Sequence, residues 1–240
     1  MDNIELTILM PCLNEETTLP ICIKKAQEFI KKENLNAEIL IADNGSTDKS
    51  VKIAKELGAN VVNVKEKGYG NALRYGTLAA KGKYVIMADS DDSYNFLEIK
   101  PFLDKLRGGY DFVIGNRLKG KIEKNAMPFT HRYIGTPILS FLIRKKYKVK
   151  IYDVNCGLRG YCNKKVIDLN CKSTGMEYAS EMIIKAQEAH LKIVEIPINF
   201  YKDGRDREPH LNAIRDGIRH LKVIFNKRKI NSWFIKYYVL

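Results

Sequence analysis

The chain has 240 residues, 45% of them hydrophobic, which is enough for the core of one large domain. A formal charge of +13, from 41 basic and 28 acidic residues, implies an anionic partner: a phosphorylated substrate, a membrane surface or nucleic acid. Five cysteines without paired short spacing argue against a disulfide framework or a zinc site, and no stretch approaches the ~20 apolar residues of a membrane span.

The N-terminus is acidic and runs straight into a strand, so no secretory signal is expected and the protein is expected in the cytosol. Residues 6–10 predict the first strand, halted by Pro11, with a helix over 18–32. A second strand over 38–42 leads to a helix ending at Leu57, where Gly58 supplies a stop. A third strand covers 60–64, and a glycine-bearing loop opens a helix that runs to about Ala80. Strands follow at 84–88 and 112–115, with a helix over 101–106 between them. This alternation predicts an α/β fold with a mainly parallel sheet flanked by helices. Beyond Gly115 the pattern loosens. Residues 116–127 read as a loop, 129–143 and 177–189 as helices, and 154–161 and 192–200 as strands; from about His210 the chain reads as basic and helical. With no linker visible, residues 1–226 read as one catalytic domain and 227–240 as a basic, aromatic tail.

Four loops leave successive strands from one end of the sheet, where open α/β sheets bind ligands. Pro11-Cys12-Leu13-Asn14-Glu15-Glu16 offers Glu15 to a base or ribose, or else two acids to the dipole of the next helix. Asp43-Asn44-Gly45-Ser46 is either a nucleoside contact or a capped glycine turn. Gly68-Tyr69-Gly70 lets backbone approach an anion at a helix N-terminus, although it lacks the lysine-serine ending of a phosphate loop. The fourth loop carries the most weight. The apolar run Tyr84-Val85-Ile86-Met87-Ala88 ends in Asp89-Ser90-Asp91-Asp92. Crowded carboxylates repel one another but suit a hard divalent cation bridging to phosphate; the competing reading is an acidic helix cap. An acidic cluster also fits poorly with a face that binds nucleic acid, so none is expected as a partner.

Met10-Pro11-Cys12-Leu13-Asn14-Glu15, Ala42-Asp43-Asn44-Gly45-Ser46-Thr47-Asp48 and Asp89-Ser90-Asp91 resemble the signature segments of family 2 glycosyltransferases with the GT-A fold. The likeness is nearest to polyprenyl-phosphate (dolichyl-phosphate) mannosyl- and glucosyltransferases. It is carried also by Gly115-Asn116-Arg117, Met127-Pro128-Phe129-Thr130-His131-Arg132-Tyr133, Asp153-Val154-Asn155-Cys156-Gly157-Leu158-Arg159 and Gly175-Met176-Glu177-Tyr178-Ala179-Ser180-Glu181. The resemblance implies a hexose moved, with inversion, from a nucleotide-diphosphate sugar to a polyprenyl phosphate at the cytosolic membrane face. The same fold and donor allow a saccharide or protein hydroxyl as acceptor instead, with Glu181 or Asp153 as the base. A basic membrane- or nucleic-acid-binding module without turnover is the alternative outside enzymology.

The resemblance further implies Mg²⁺ or Mn²⁺ held by Asp89 and Asp91, with Asp91 as the main ligand. Some relatives place a glutamine where Ser93 stands, so water is expected as the third ligand here. Pro11, Leu13, Glu15, Asp43, Gly68, Asp89 and Ser90 are the implied donor-nucleotide contacts. Arg205 and Arg207 would close over the diphosphate, Arg117 and Arg132 would bind the acceptor phosphate, and Glu181 would be an acid near the acceptor. The apolar stretch 129–143, ending in Arg144-Lys145-Lys146, reads as an interfacial helix. Many relatives continue into transmembrane helices where this sequence stops, so peripheral attachment is expected.

Overall fold

The computed structural model of this chain describes residues 4–205 and 213–225. The strands β1 (Leu6–Cys12), β2 (Ala37–Asp43) and β4 (Tyr84–Met87) are apolar runs, and every residue of β1 and β4 is buried. Continuous apolar strands of this kind belong in a sheet covered on both faces. With β3 (Asn60–Asn63), β5 (Phe112–Asn116), β6 (Arg159–Cys162) and β7 (Ile193–Pro197) they form one seven-stranded sheet, ordered β3-β2-β1-β4-β6-β5-β7. Helices α1 (Leu19–Lys32), α2 (Ser50–Glu56), α3 (Tyr69–Ala79) and α4 (Lys100–Arg107) alternate with the first strands as expected. The second half adds α5 (Thr136–Tyr147), α6 (Asn163–Asp168), α7 (Tyr178–Glu188) and α8 (Ala213–Ile224).

Register decides which residues meet. β1 runs parallel to β2 from Leu6↔Ala37 to Cys12↔Asp43, and parallel to β4 from Leu6↔Tyr84 to Leu9↔Met87. The loops after β1, β2 and β4 therefore emerge along one edge. β6 is antiparallel to both β4 and β5, pairing Arg159 with Met87 and with Ile114. β5 thus points the same way as β4, and β6 enters the sheet where they leave it. An antiparallel strand brings its first residue, Arg159, to the edge that the parallel strands reach with their last.

Two expected elements differ. The strand expected over 154–161 begins only at Arg159, because Cys156 N turns back to Asp153 O (3.2 Å) and Asp153 is taken by Arg117. The helix expected over 129–143 is split into a π-helical turn, His131–Gly135, and α5. Pro137 stands in the first turn of α5; it has no N–H and its ring displaces the carbonyl four residues back, so the preceding turn widens.

Candidate active site

A cavity of about 950 Å³ opens along this edge. Of the residues singled out in the sequence, Pro11, Leu13, Glu15, Gly68, Asp89, Ser90, Asp91, Arg117 and Arg205 line it. Asp43, Arg132 and Glu181 do not, and Arg207 lies outside the described residues.

The carboxylates after β4 separate into three environments. Asp91 is 7% exposed, and its Oδ1 accepts from Ser93 N (3.0 Å) and Ser93 Oγ (2.6 Å). Ser93, expected only as a missing ligand, fixes the orientation of Asp91. The second oxygen of Asp91 meets Arg205 at 3.0 Å, and the same guanidinium lies 3.9 Å from Glu15. Asp89 accepts from Tyr69 Oη (2.8 Å) and has no cation partner among the described residues. Burial, then repulsion from Asp91, push its carboxyl up to about 6, against the lowering effect of the Tyr69 bond. Asp92 has left the site: its φ is +64°, it bonds Lys25 at 2.7 Å and it does not line the cavity. Two of the three acids thus have a cation partner, where the sequence alone implies that none is compensated. Arg205 sits on Asp91, and Asp92 is spent on α1.

The donor set suits Mg²⁺ or Mn²⁺. Such ions take one or two carboxylates and complete their shell with water and phosphate oxygens. Among the described residues no group of three or more His, Cys, Asp or Glu could hold a metal, so phosphate and water would supply the remaining ligands.

Several expected roles change. Asp43 holds its own turn, accepting from Gly45 N (3.0 Å) and Ser46 N (3.2 Å), while its neighbour Asn44 lines the cavity. The glycines at the start of α3 do not bare their N–H groups for an anion. Gly68 N donates to Asn44 Oδ1 (2.7 Å) and Gly70 N to Thr174 O (2.9 Å). A Cβ on Gly70 would meet Ser173 O at 2.5 Å, so these glycines admit the 173–175 loop. Arg132 stacks on Tyr133, and its neighbour His131 lines the cavity. Glu181 accepts from the backbone N–H of Lys172 and Ser173 and from Lys185 (3.0 Å). Burial opposes its ionisation, but those bonds hold its carboxyl below the usual range. Arg117 does line the cavity, gripped in two places by fully buried Asp153 (2.7 and 2.8 Å) and lying over Phe200.

Other residues at the cavity have no role assigned from the sequence, Arg159 among them although its segment carries part of the resemblance. Lys67 lines it while donating to Asn44 O (2.7 Å). Arg215, Arg219 and His220 reach it from α8, and Arg159 from β6. The helical spacing of Arg215 with Arg219, four residues apart, was the available signal.

His220 gives a pH prediction. Burial pushes its imidazole down to about 4, although Glu177 and Asp216 favour the charged form; Arg159 and Arg219 oppose it. An unfolded histidine titrates near 6.5. Between those values the unfolded chain binds a proton that the fold rejects, so stability falls as pH drops from 6.5 towards 4. His220→Asn should remove about 2–3 kcal/mol of the stability lost between pH 7 and 4.5, read from denaturant titrations at each pH. Parallel curves for the two proteins would contradict the assignment.

Known proteins resemble this chain in sequence and fold. A profile described as Glycosyl transferase family 2 matches residues 7–169. The low-salt glycan biosynthesis hexosyltransferase Agl6 of Haloferax volcanii is 36% identical over 218 residues, covering 90% of this chain. This chain spans 52% of that relative's length. The dolichyl-phosphate hexose transferase of the same organism is 28% identical over 227 residues, covering 93% of this chain and 96% of its own. Among solved structures, glucosyl-3-phosphoglycerate synthase from Mycobacterium tuberculosis, in complex with Mn²⁺, UDP and glucosyl-3-phosphoglycerate, aligns with a TM-score of 0.71 at 18% identity. It covers 92% of this chain and 79% of that one, a likeness of fold. The fold is GT-A.

Proposed function

Because this chain belongs to glycosyl transferase family 2, we propose that it transfers a hexose from a nucleotide-diphosphate sugar to a polyprenyl phosphate, at the cytosolic face of a membrane. The observation that carries this reading is the mouth of the cavity. Ile134, Ile138 and Ile214 line the cavity, yet they are 49%, 52% and 78% exposed. Phe129, Tyr133 and Phe141, from the same stretch of chain as Ile134 and Ile138, are exposed as well, and Lys145 and Lys148 stand exposed at the end of α5. An apolar opening with basic residues beside it suits a prenyl chain entering from an anionic lipid surface. α5 serves two sides at once, since Leu139 and Ile143 are buried. No helix among the described residues is long and apolar enough to cross a membrane, and the 227–240 tail lies outside them.

The chemistry asks little acid–base help from the chain. A lipid phosphate is already ionised, so its oxygen attacks the anomeric carbon while the bond to the nucleoside diphosphate breaks on the opposite side, with inversion. Asp89 and Asp91 would hold Mg²⁺ or Mn²⁺, which when bound neutralises charge on the departing diphosphate. Arg205, now on Asp91 and Glu15, is placed to move onto the diphosphate. Arg117, kept charged and oriented by Asp153, faces the acceptor side. A hydroxyl acceptor needs a base, and neither Glu181 nor Asp153 lines the cavity. Of the described carboxylates that do, Asp89 and Asp91 are assigned to the cation, Glu15 and Asp203 face Arg205, and Asp216 bonds Arg215. A basic module without turnover would leave the acidic end of the cavity without purpose.

Offered hexose-labelled UDP-glucose or GDP-mannose with Mn²⁺, the protein should label undecaprenyl phosphate and leave soluble glycans unlabelled. Label appearing on glycan hydroxyls instead would overturn the acceptor assignment. Ile138→Asp should weaken labelling of the long-chain acceptor while sparing a short-chain prenyl phosphate.

A further inference from the structure

Among the polar side chains of the cavity that the transfer chemistry leaves unused are His220 and Asn155. His220 keeps 6% exposure and lines the cavity, with its Nδ1 2.7 Å from Ser180 Oγ. Among the described residues this is the hydroxyl's one hydrogen bond. Either atom of this pair can donate; donation from Ser180 to Nδ1 is the arrangement that leaves no buried hydroxyl proton without an acceptor, and it puts the imidazole's own proton on Nε2. The ring is neutral at neutral pH, so it offers the cavity an uncharged N–H donor.

Asn155 lines the same cavity from the loop before β6. Its Nδ2 donates to Thr136 Oγ1 (3.2 Å), while its Oδ1 is buried with no partner among the described residues. The last torsion of asparagine is broad, so a modest turn brings that acceptor to the cavity surface.

Arg159 ties the two together. It is fully buried, and no carboxylate among the described residues pairs with it. Its Nε donates to Cys156 O (2.9 Å) and its terminal nitrogens to Val154 O and Ala179 O (both 2.8 Å). Those carbonyls flank Asn155 on both sides and immediately precede Ser180. A guanidinium buried without a counter-charge is a costly device. What it secures is the spacing between Asn155 and the Ser180–His220 pair.

The order of strands says what passes over this wall. The loops after β1 and β2 line one end of the cavity and on the nucleotide-sugar reading would take the nucleoside, Asp89 and Asp91 follow β4, and Arg117 follows β5. A hexose attached to the diphosphate and approached from the Arg117 side lies between β4 and β5. That position is over β6, where Asn155 and Arg159 form the floor. Resting on the nucleotide-sugar reading above, we propose that His220 Nε2–H and Asn155 Oδ1 bind hydroxyl groups of the donor hexose. Ser180 and Arg159 are positioning residues for them. A sugar hydroxyl both donates and accepts, so it satisfies an unmatched donor and an unmatched acceptor in one cavity.

Calorimetric titration of the full chain with Mn²⁺ compares UDP-glucose with UDP and GDP-mannose with GDP. For the pair that binds, the wild type should favour the hexose-bearing nucleotide over its diphosphate. His220→Asn, which replaces only the Nδ1 side of the ring, and Asn155→Ala should each shrink that preference by about three- to tenfold. Affinity for the bare diphosphate should be unchanged. His220→Gln, which restores an N–H near the place of Nε2, should keep the preference, and Ser180→Ala should lose part of it. An unchanged preference in both His220→Asn and Asn155→Ala, with the diphosphate still bound, overturns the subsite alone. Failure of both diphosphates to bind the wild type overturns the donor reading and the subsite with it.

Discussion

Asp91→Asn should lower metal-dependent kcat/KM by about 10²–10³-fold, the usual cost of removing one preorganised electrostatic contact. The substitution keeps the shape of the side chain and removes its charge. Asp91 is buried at the end of β4, one oxygen set by Ser93 and the other turned to the cavity, where Arg205 meets it. Replacing the carboxylate removes the group expected to hold the cation, and also the resting place of Arg205. Ser93→Ala should have a smaller effect in the same direction, because the carboxylate survives and keeps the backbone N–H bond but loses the 2.6 Å hydroxyl bond that helps orient it. Steady-state rates over a Mn²⁺ titration check both. Asp91→Asn with wild-type activity at every Mn²⁺ concentration would remove the basis for the proposed chemistry.

Asp153→Ala should destabilise the fold by about 3–5 kcal/mol, the range for breaking a buried ion pair from one side. The side chain of Arg117 is 9% exposed and that of Asp153 0%, and two bonds join them. Asp153 also accepts from the backbone N of Arg117 (3.0 Å), so its loss leaves a buried cation and a buried N–H unmatched. The double variant Arg117→Met, Asp153→Leu should recover much of that stability while losing transfer to lipid phosphate. Urea denaturation measures the first effect, and the transfer assay the second. A single variant within 1 kcal/mol of wild type would mean that Arg117 finds water once Asp153 is gone, and that the cavity reaches deeper than its lining residues indicate.

The alternating strands and helices of the first half were legible because each carries its own periodicity and stop signals. So was the acidic loop, since a strand buried on both faces announces its end when carboxylates begin. What stayed hidden depended on phase or on distant contacts. Arg132 and His131 are neighbours, and the choice between them rests on the turn that Pro137 imposes. A π-helical turn shifts the helical phase of the residues before Thr136, so His131 faces the cavity while Arg132 lies against Tyr133. Glu181 has Lys185 four residues on, and that ordinary helix pair is what the structure holds, together with the 172–173 backbone. Gly68 and Gly70 carry a phosphate-loop appearance, but the backbone they admit comes from residues about a hundred positions later, which no local pattern reveals. Arg159 belonged to a recognised segment, yet its burial without a carboxylate follows only from β6 running against its neighbours.

The central claim is that the end of β4 binds a divalent cation and a nucleotide sugar as one unit. Thermal melts of the full chain with UDP-glucose and GDP-mannose, each with Mn²⁺ or with EDTA, test it most directly. Saturating nucleotide sugar at about 100 times its Kd should raise Tm by about 5–10 °C, only with Mn²⁺ present, and not in Asp91→Asn. An equal rise in EDTA, or no rise with either sugar nucleotide, would contradict it.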